Sequence, residues 1–148
     1  MEWVLLAYRL PRQPSTPRIA LWRRLRRLGA VQLVDSLVAL PLNERTKEQL
    51  EWLASEVDEA DGEATVWVGT LTSRGQEREL VRRMNAAVAA ASRLVIEAAR
   101  AGPGDRRTVT RLRRTLRAIR ARDYFSPPER ARAERAVEAL AQRTEALR

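Results

Sequence analysis

The apolar positions of this chain form short runs over its first half and seven-residue repeats over its second. Trp3-Val4-Leu5-Leu6-Ala7-Tyr8-Arg9-Leu10 reads as a strand over about residues 3–10, and Pro11, Pro14 and Pro17 punctuate its exit. Thr16 stands where a capping side chain is wanted, Pro17 where the first helical residue needs no N–H, and Gly29 where the helix stops. Ile19, Trp22, Leu25 and Leu28 are expected on one face of that helix, with Arg18, Arg23, Arg24, Arg26 and Arg27 around the remainder. Two short strands, Val31–Leu33 and Leu37–Leu40, flank an Asp35-Ser36 turn. Asn43 caps a second helix that carries Leu50, Leu53 and Val57 and ends near Gly62, and Glu63–Val68 alternates as a last strand with Ala64, Val66 and Val68 on one side. The order βαββαβ predicts a ferredoxin-like domain over residues 1–70. Trp3, Trp22, Trp52 and Trp67 are all expected in its sheet–helix core.

Residues 71–148 predict helices only. Leu80, Met84, Ala87, Ala91, Leu94 and Ala98 are spaced four, three, four, three, four, a heptad seam over about residues 76–101. Gly102-Pro103-Gly104 breaks the helix, Asp105 caps the next, and Val109, Leu112, Leu116 and Ile119 continue the spacing. Asp123-Tyr124-Phe125-Ser126-Pro127-Pro128 is a second break, followed by Ala133, Val137, Leu140, Thr144 and Leu147. Three seams predict an antiparallel helical hairpin or three-helix bundle, and sharing a seam with a second subunit fits the spacing equally. The fold class is α+β: a ferredoxin-like domain, 1–70, followed by an arginine-rich helical region, 71–148.

With 148 residues, 45% of them hydrophobic, the chain is long enough to bury an ordinary core. No apolar run approaches the roughly 20 residues of a membrane span, and no secretory leader is visible, so a cytoplasmic protein with no membrane partner is expected. Cysteine and histidine are absent, which removes disulfides, thiol nucleophiles, the common zinc sites and imidazole acid–base chemistry. The carboxylates cluster on the second helix as a solvated face, and no glycine-rich phosphate loop or G-x-S-x-G occurs. Neither an enzyme nor a cofactor or metal site is expected.

The net charge of +9 is unevenly placed. Residues 1–75 carry ten basic and ten acidic side chains, so the whole surplus lies beyond, and every base but Lys47 is arginine. Arginine's planar fork matches phosphate and carboxylate, although a GC-rich genome also favours arginine and alanine codons. On the helix over 105–122 the arginines Arg106, Arg107, Arg111, Arg113, Arg114, Arg117, Arg120 and Arg122 occupy the arc left by the apolar seam, with only Asp105 and Asp123 flanking them. That face is a candidate surface for a nucleic-acid backbone, with Arg106, Arg107, Arg111, Arg113, Arg114 and Arg117 as phosphate neutralisers. The competing reading is a solvated amphipathic face balanced by glutamates of its neighbours. Arg9, Arg12 and Arg18, beside the first strand's exit and the helix start, are a second candidate for binding an oxyanion.

Several of these segments resemble a known family. Trp3 to Arg12, Pro17-Arg18, Leu21-Trp22-Arg23-Arg24-Leu25, Leu28-Gly29-Ala30 and Leu40-Pro41 resemble the N-terminal domain of the chromate-resistance regulator ChrB, and Ile119 to Phe125 is similar to the R-x-R-D-[FY]-F stretch of that domain. The resemblance implies a cytoplasmic regulator acting at the DNA of chromate-efflux genes. Family members often continue into a second domain associated with chromate sensing, which this sequence lacks, so a separate sensor-domain protein is an expected partner. The first half is also similar to the small ferredoxin-like subunit of CRISPR spacer-integration complexes and to a domain of phenylacetate-pathway repressors. In the nuclease-like versions an aromatic residue and an acid end strand one. Tyr8-Arg9 stands there in this sequence, and a base repels the metal a nuclease needs. The repressor likeness implies dimerisation or DNA contact through this module, and a homodimer is expected. The expected function is transcription regulation through DNA binding; the alternatives are a non-catalytic interaction module and an oxyanion (chromate) sensor.

Overall fold

A computed structural model describes residues 1–147. Two compact units divide the chain, Met1–Leu80 and Val81–Arg148. The first holds β1 (Trp3–Arg9), α1 (Thr16–Leu28), β2 (Val31–Val34), β3 (Leu37–Pro41), α2 (Glu44–Glu59), β4 (Glu63–Gly69) and the opening turns of α3 (Arg74–Ala101). The strands form one sheet in the order β2-β3-β1-β4, every neighbour antiparallel, which is the ferredoxin-like arrangement. Val4 and Leu6 lie opposite Leu40 and Val38 in register, and all four are buried, so one sheet face carries the apolar layer. The helix α2 lies against β1 and β4, and α1 packs on α2. Leu50, Leu53 and Val57 of α2 are buried, each contributing about 2 kcal/mol of burial free energy.

Local chemistry fixes the element ends. Asn43 Oδ1 accepts from Thr46 N at 2.8 Å while Thr46 Oγ1 accepts from Asn43 N at 2.9 Å, a reciprocal cap that opens α2. Gly29 closes α1 at φ 79°, a left-handed conformation that suits glycine. Gly62 answers a space requirement instead: a Cβ there would strike Arg9 O and come within 2.7 Å of Val57 Cγ1. Asp35 and Ser36 make a two-residue hairpin turn with Ser36 at φ 64°. At the start of α1 the cap residue is Ser15 rather than Thr16, and its side chain makes no capping hydrogen bond.

The expected face of α1 is corrected. Leu21, Leu25 and Leu28 are the buried residues, whereas Ile19 and Trp22 are exposed. Steps of three residues each slip by about 60° on a helix, so 19, 22, 25 and 28 spiral round it, whereas steps of four and three hold one face. Of the four tryptophans only Trp3 is core, at 1% exposure; Trp22, Trp52 and Trp67 are 56%, 61% and 61% exposed. Each exposed indole has a polar neighbour: Arg26 lies 4.8 Å over the Trp22 ring, Trp52 Nε1 donates to Glu56 at 2.8 Å, and Trp67 Nε1 donates to Thr65 Oγ1 at 2.7 Å. Trp67 belongs to the sheet face opposite Val66, on an edge strand.

The second unit comprises the rest of α3, then α4 (Arg106–Ala121) and α5 (Pro128–Ala146). Val88, Val95 and Ala99 of α3, Val109, Leu112, Leu116 and Ile119 of α4, and Ala133, Val137 and Leu140 of α5 form one core cluster, giving a three-helix arrangement. The α3 seam is displaced from the heptad expectation. After Met84 the buried positions are Val88, Ser92, Val95 and Ala99, with Ala89 beside Val88, while Ala87 is exposed and Leu94 is 67% exposed. Alanines between 86 and 91 favour no particular face, so Val88 and Val95 decide the stripe, and its four-four-three-four spacing follows a 3.6-residue turn rather than a 3.5 repeat. Ser92 is tolerated in the core because its Oγ donates to Val88 O at 2.7 Å. Leu147, expected in the α5 seam, is exposed.

Candidate nucleic-acid interface

Because α4 buries only the arc of Thr108, Val109, Leu112, Leu116 and Ile119, every other position of its 16 residues is available to solvent. Asp105 Oδ1 accepts from Thr108 N at 2.7 Å and so caps the helix. That backbone hydrogen bond is the main reason its carboxyl is held below the ordinary 3.8, with Thr108's hydroxyl and then Arg107 and Arg111 adding to it. The six candidate neutralisers, Arg106, Arg107, Arg111, Arg113, Arg114 and Arg117, are all exposed. At about 100° per residue they divide into two ridges. Arg106, Arg113 and Arg117 lie toward α5, where Arg106 and Arg113 share a groove with Glu138 and Glu145, and Arg113 Nη2 pairs with Glu138 Oε2 at 3.4 Å. Arg107, Arg111 and Arg114 lie on the other side, and the carboxylate beside them is the capping Asp105. Glutamates of a neighbouring helix therefore balance one ridge in part and leave the other open.

Asp123, expected to flank this face, is turned away from it. Its side chain is 1% exposed, its Oδ1 accepts from Phe125 N at 3.1 Å and Ser126 N at 2.9 Å, and its Oδ2 pairs with Arg130 Nη1 at 2.9 Å. The acid of the Arg122-Asp123-Tyr124-Phe125 stretch thus organises the α4–α5 turn, where Ser126 takes φ 53°. One balancing charge is thereby removed from the arginine surface.

A further set of arginines was not expected. Arg100 of α3 and Arg132, Arg135 and Arg143 of α5 line a groove of about 550 Å³ with Ile96, Ala99, Ala136 and Ala139 and no acidic residue, and Arg143 Nη2 donates to Ala99 O at 3.4 Å. The signal was present in α5: 132, 135 and 143 fall on one face with small alanines, and Glu134, Glu138 and Glu145 on the other.

In the first unit Arg9, Arg12 and Arg18 are brought together. All three line one open cavity of about 540 Å³ with Tyr8, Leu10, Ser15, Ile19, Trp22 and Ser36. Arg9 is held by Glu63 at 2.9 Å across the β1–β4 pair, rather than by a glutamate of α2. Arg24, outside the cavity, does pair with α2, at 2.9 Å to Glu56. Burial pushes the Tyr8 phenol up, Asp35 reinforces that shift and Arg18 opposes it, so the ring stays a protonated donor at neutral pH. No group of three or more His, Cys, Asp or Glu placed to hold a metal occurs among the described residues, and no described helix is long and apolar enough to cross a membrane.

Comparison with known proteins supplies an independent line. The family described as Protein ChrB, N-terminal, matches residues 18–96, just over half of the chain. A curated relative, Protein ChrB of Cupriavidus metallidurans, is 32% identical over 77 residues, a stretch covering 52% of this chain and 23% of that protein. The chain therefore matches under a quarter of its relative's length. No solved structure matches it. The family match runs from α1 into α3, so α4 and the Ile119–Phe125 stretch lie beyond it.

Proposed function

The chain belongs to the family of the N-terminal part of Protein ChrB, and from that premise we propose that it is a regulatory protein of a chromate-resistance system that holds DNA by its phosphate backbone. The observation that carries the reading is the open ridge of Arg107, Arg111 and Arg114, exposed and opposed by one capping carboxylate. Guanidinium groups at this spacing release counterions from a duplex, a gain that grows with each phosphate met and carries no base preference. The α3–α5 groove of four arginines extends the positive surface of the same unit. The reading is of a non-catalytic protein, since the chain has neither histidine nor cysteine.

The proposal extends to a cytoplasmic homodimer. Support for self-association comes from Trp52 and Trp67, large exposed rings of the kind that interface centres favour. Sedimentation of the purified chain should give twice the monomer mass, and a monomer at high concentration would count against that extension.

The direct test reverses the ridge. Arg107→Glu, Arg111→Glu and Arg114→Glu together should abolish retention of duplex DNA at low salt while leaving the circular dichroism spectrum unchanged. Retention equal to that of the native chain would remove this surface from the account.

A further inference from the structure

We infer that the cavity between the end of β1 and the start of α1 binds a nucleoside 5′-phosphate, with Arg12 and Arg18 on the phosphate and Trp22 against the base. The argument begins with size. At about 540 Å³ the cavity lies within the range of sites for ligands of drug size, and a bare tetrahedral oxyanion would fill only a small part of it. Its lining is divided in the same sense. Arg12 and Arg18 supply planar forks suited to a phosphate and make no ion pair among the described residues, whereas Arg9 is already committed to Glu63. The start of α1 borders the same cavity: Ser15, which makes no side-chain cap, and Arg18 line it, and the first turn holds no acid.

The rest of the lining includes an apolar part, made by Ile19, Leu10 and the indole of Trp22, and Trp22 follows Arg18 by one turn of α1. Arg26 lies over the Trp22 ring, which is still 56% exposed, and an exposed indole can stack a planar partner. Tyr8 and Ser36 also line the cavity, brought together by the hydrogen bond from Tyr8 N to Ser36 O at 3.0 Å. The Tyr8 phenol and the Ser15 and Ser36 hydroxyls are donors suited to ribose or phosphate oxygens. A wholly inorganic anion would use only the arginines and hydroxyls and leave the Trp22 ring and the apolar side chains without a role.

The test is calorimetry on the full chain with adenosine 5′-monophosphate, guanosine 5′-monophosphate, adenosine and inorganic phosphate. At least one of the two nucleotides should bind about tenfold or more tightly than either adenosine or phosphate. Arg12→Gln with Arg18→Gln should remove that binding, and Trp22→Leu should weaken it by about fivefold or more while leaving phosphate binding unchanged. Inorganic phosphate binding as tightly as both nucleotides, or no heat from either nucleotide, would overturn the inference. So would a folded Arg12→Gln/Arg18→Gln variant that binds the nucleotide unchanged. Arg107→Glu/Arg111→Glu/Arg114→Glu should retain nucleotide binding in full, which separates this site from the proposed DNA surface.

Discussion

Asp123 shows how a single carboxylate serves the fold and sharpens the surface. Two backbone amides and Arg130 engage it out of water, so removing it leaves a largely buried guanidinium without its 2.9 Å ion pair, with Glu134 farther off at 3.6 Å. Asp123→Ala should lower stability by about 3 kcal/mol in thermal denaturation. Asn43→Ala, which removes half of a reciprocal cap, should cost about 1 kcal/mol. Two carboxyls contribute to the acid limb of stability. Glu77 is held below its ordinary 4.5 chiefly by the Trp3 indole N–H at 2.9 Å and then by the terminal ammonium, and Asp105 below 3.8 chiefly by Thr108 N. A carboxyl depressed in the folded state stabilises above its unfolded pKa, and that contribution is lost as pH falls through the folded value. Melting temperature should therefore fall as pH drops below 4.5 and then 3.8, and Glu77→Gln should flatten the earlier part of the fall.

At the scale of elements, the contrast between Leu94 and Val95 tests the corrected α3 stripe. Leu94→Lys should change stability by no more than about 0.5 kcal/mol, whereas Val95→Lys places a lone charge among Leu112, Val137 and their neighbours and should cost about 3 kcal/mol or more. Equal effects would return the seam to the heptad register. Sequence patterning was sufficient for the number and order of elements, because strand alternation, Asn43, Asp105, Gly29 and the two proline-containing breaks are local signals. It was insufficient for faces. On α1 the three-residue spacing of large apolar side chains mimicked a stripe, and on α3 alanines could have fitted either register. The tryptophans misled for a different reason: an indole has a polar N–H, and Glu56 and Thr65 offer it acceptors at the surface. Thr46 was overlooked because its buried hydroxyl serves two partners, Asn43 and Pro41, the latter at 2.6 Å.

Across the whole molecule, charge separates by unit. The first unit combines a nearly balanced surface with one cationic cavity; the second holds the surplus on the α4 ridge and in the α3–α5 groove. The α4 surface was legible because its arginines follow one another on a single amphipathic helix. The convergence of Arg9, Arg12 and Arg18 was legible only as proximity in sequence to one strand end, and the depth of the cavity and the part played by Trp22 were not. The α5 arginines were hidden by glutamates that interleave with them in sequence but face elsewhere on the helix. The central claim is that the open ridge meets phosphates, and its most direct measurement is the salt dependence of duplex binding. The logarithm of the association constant should fall linearly with the logarithm of salt concentration, and Arg107→Gln/Arg111→Gln/Arg114→Gln should make the slope shallower by about 2 to 3. An unchanged slope, or a native chain that binds no duplex at the lowest salt, would contradict it.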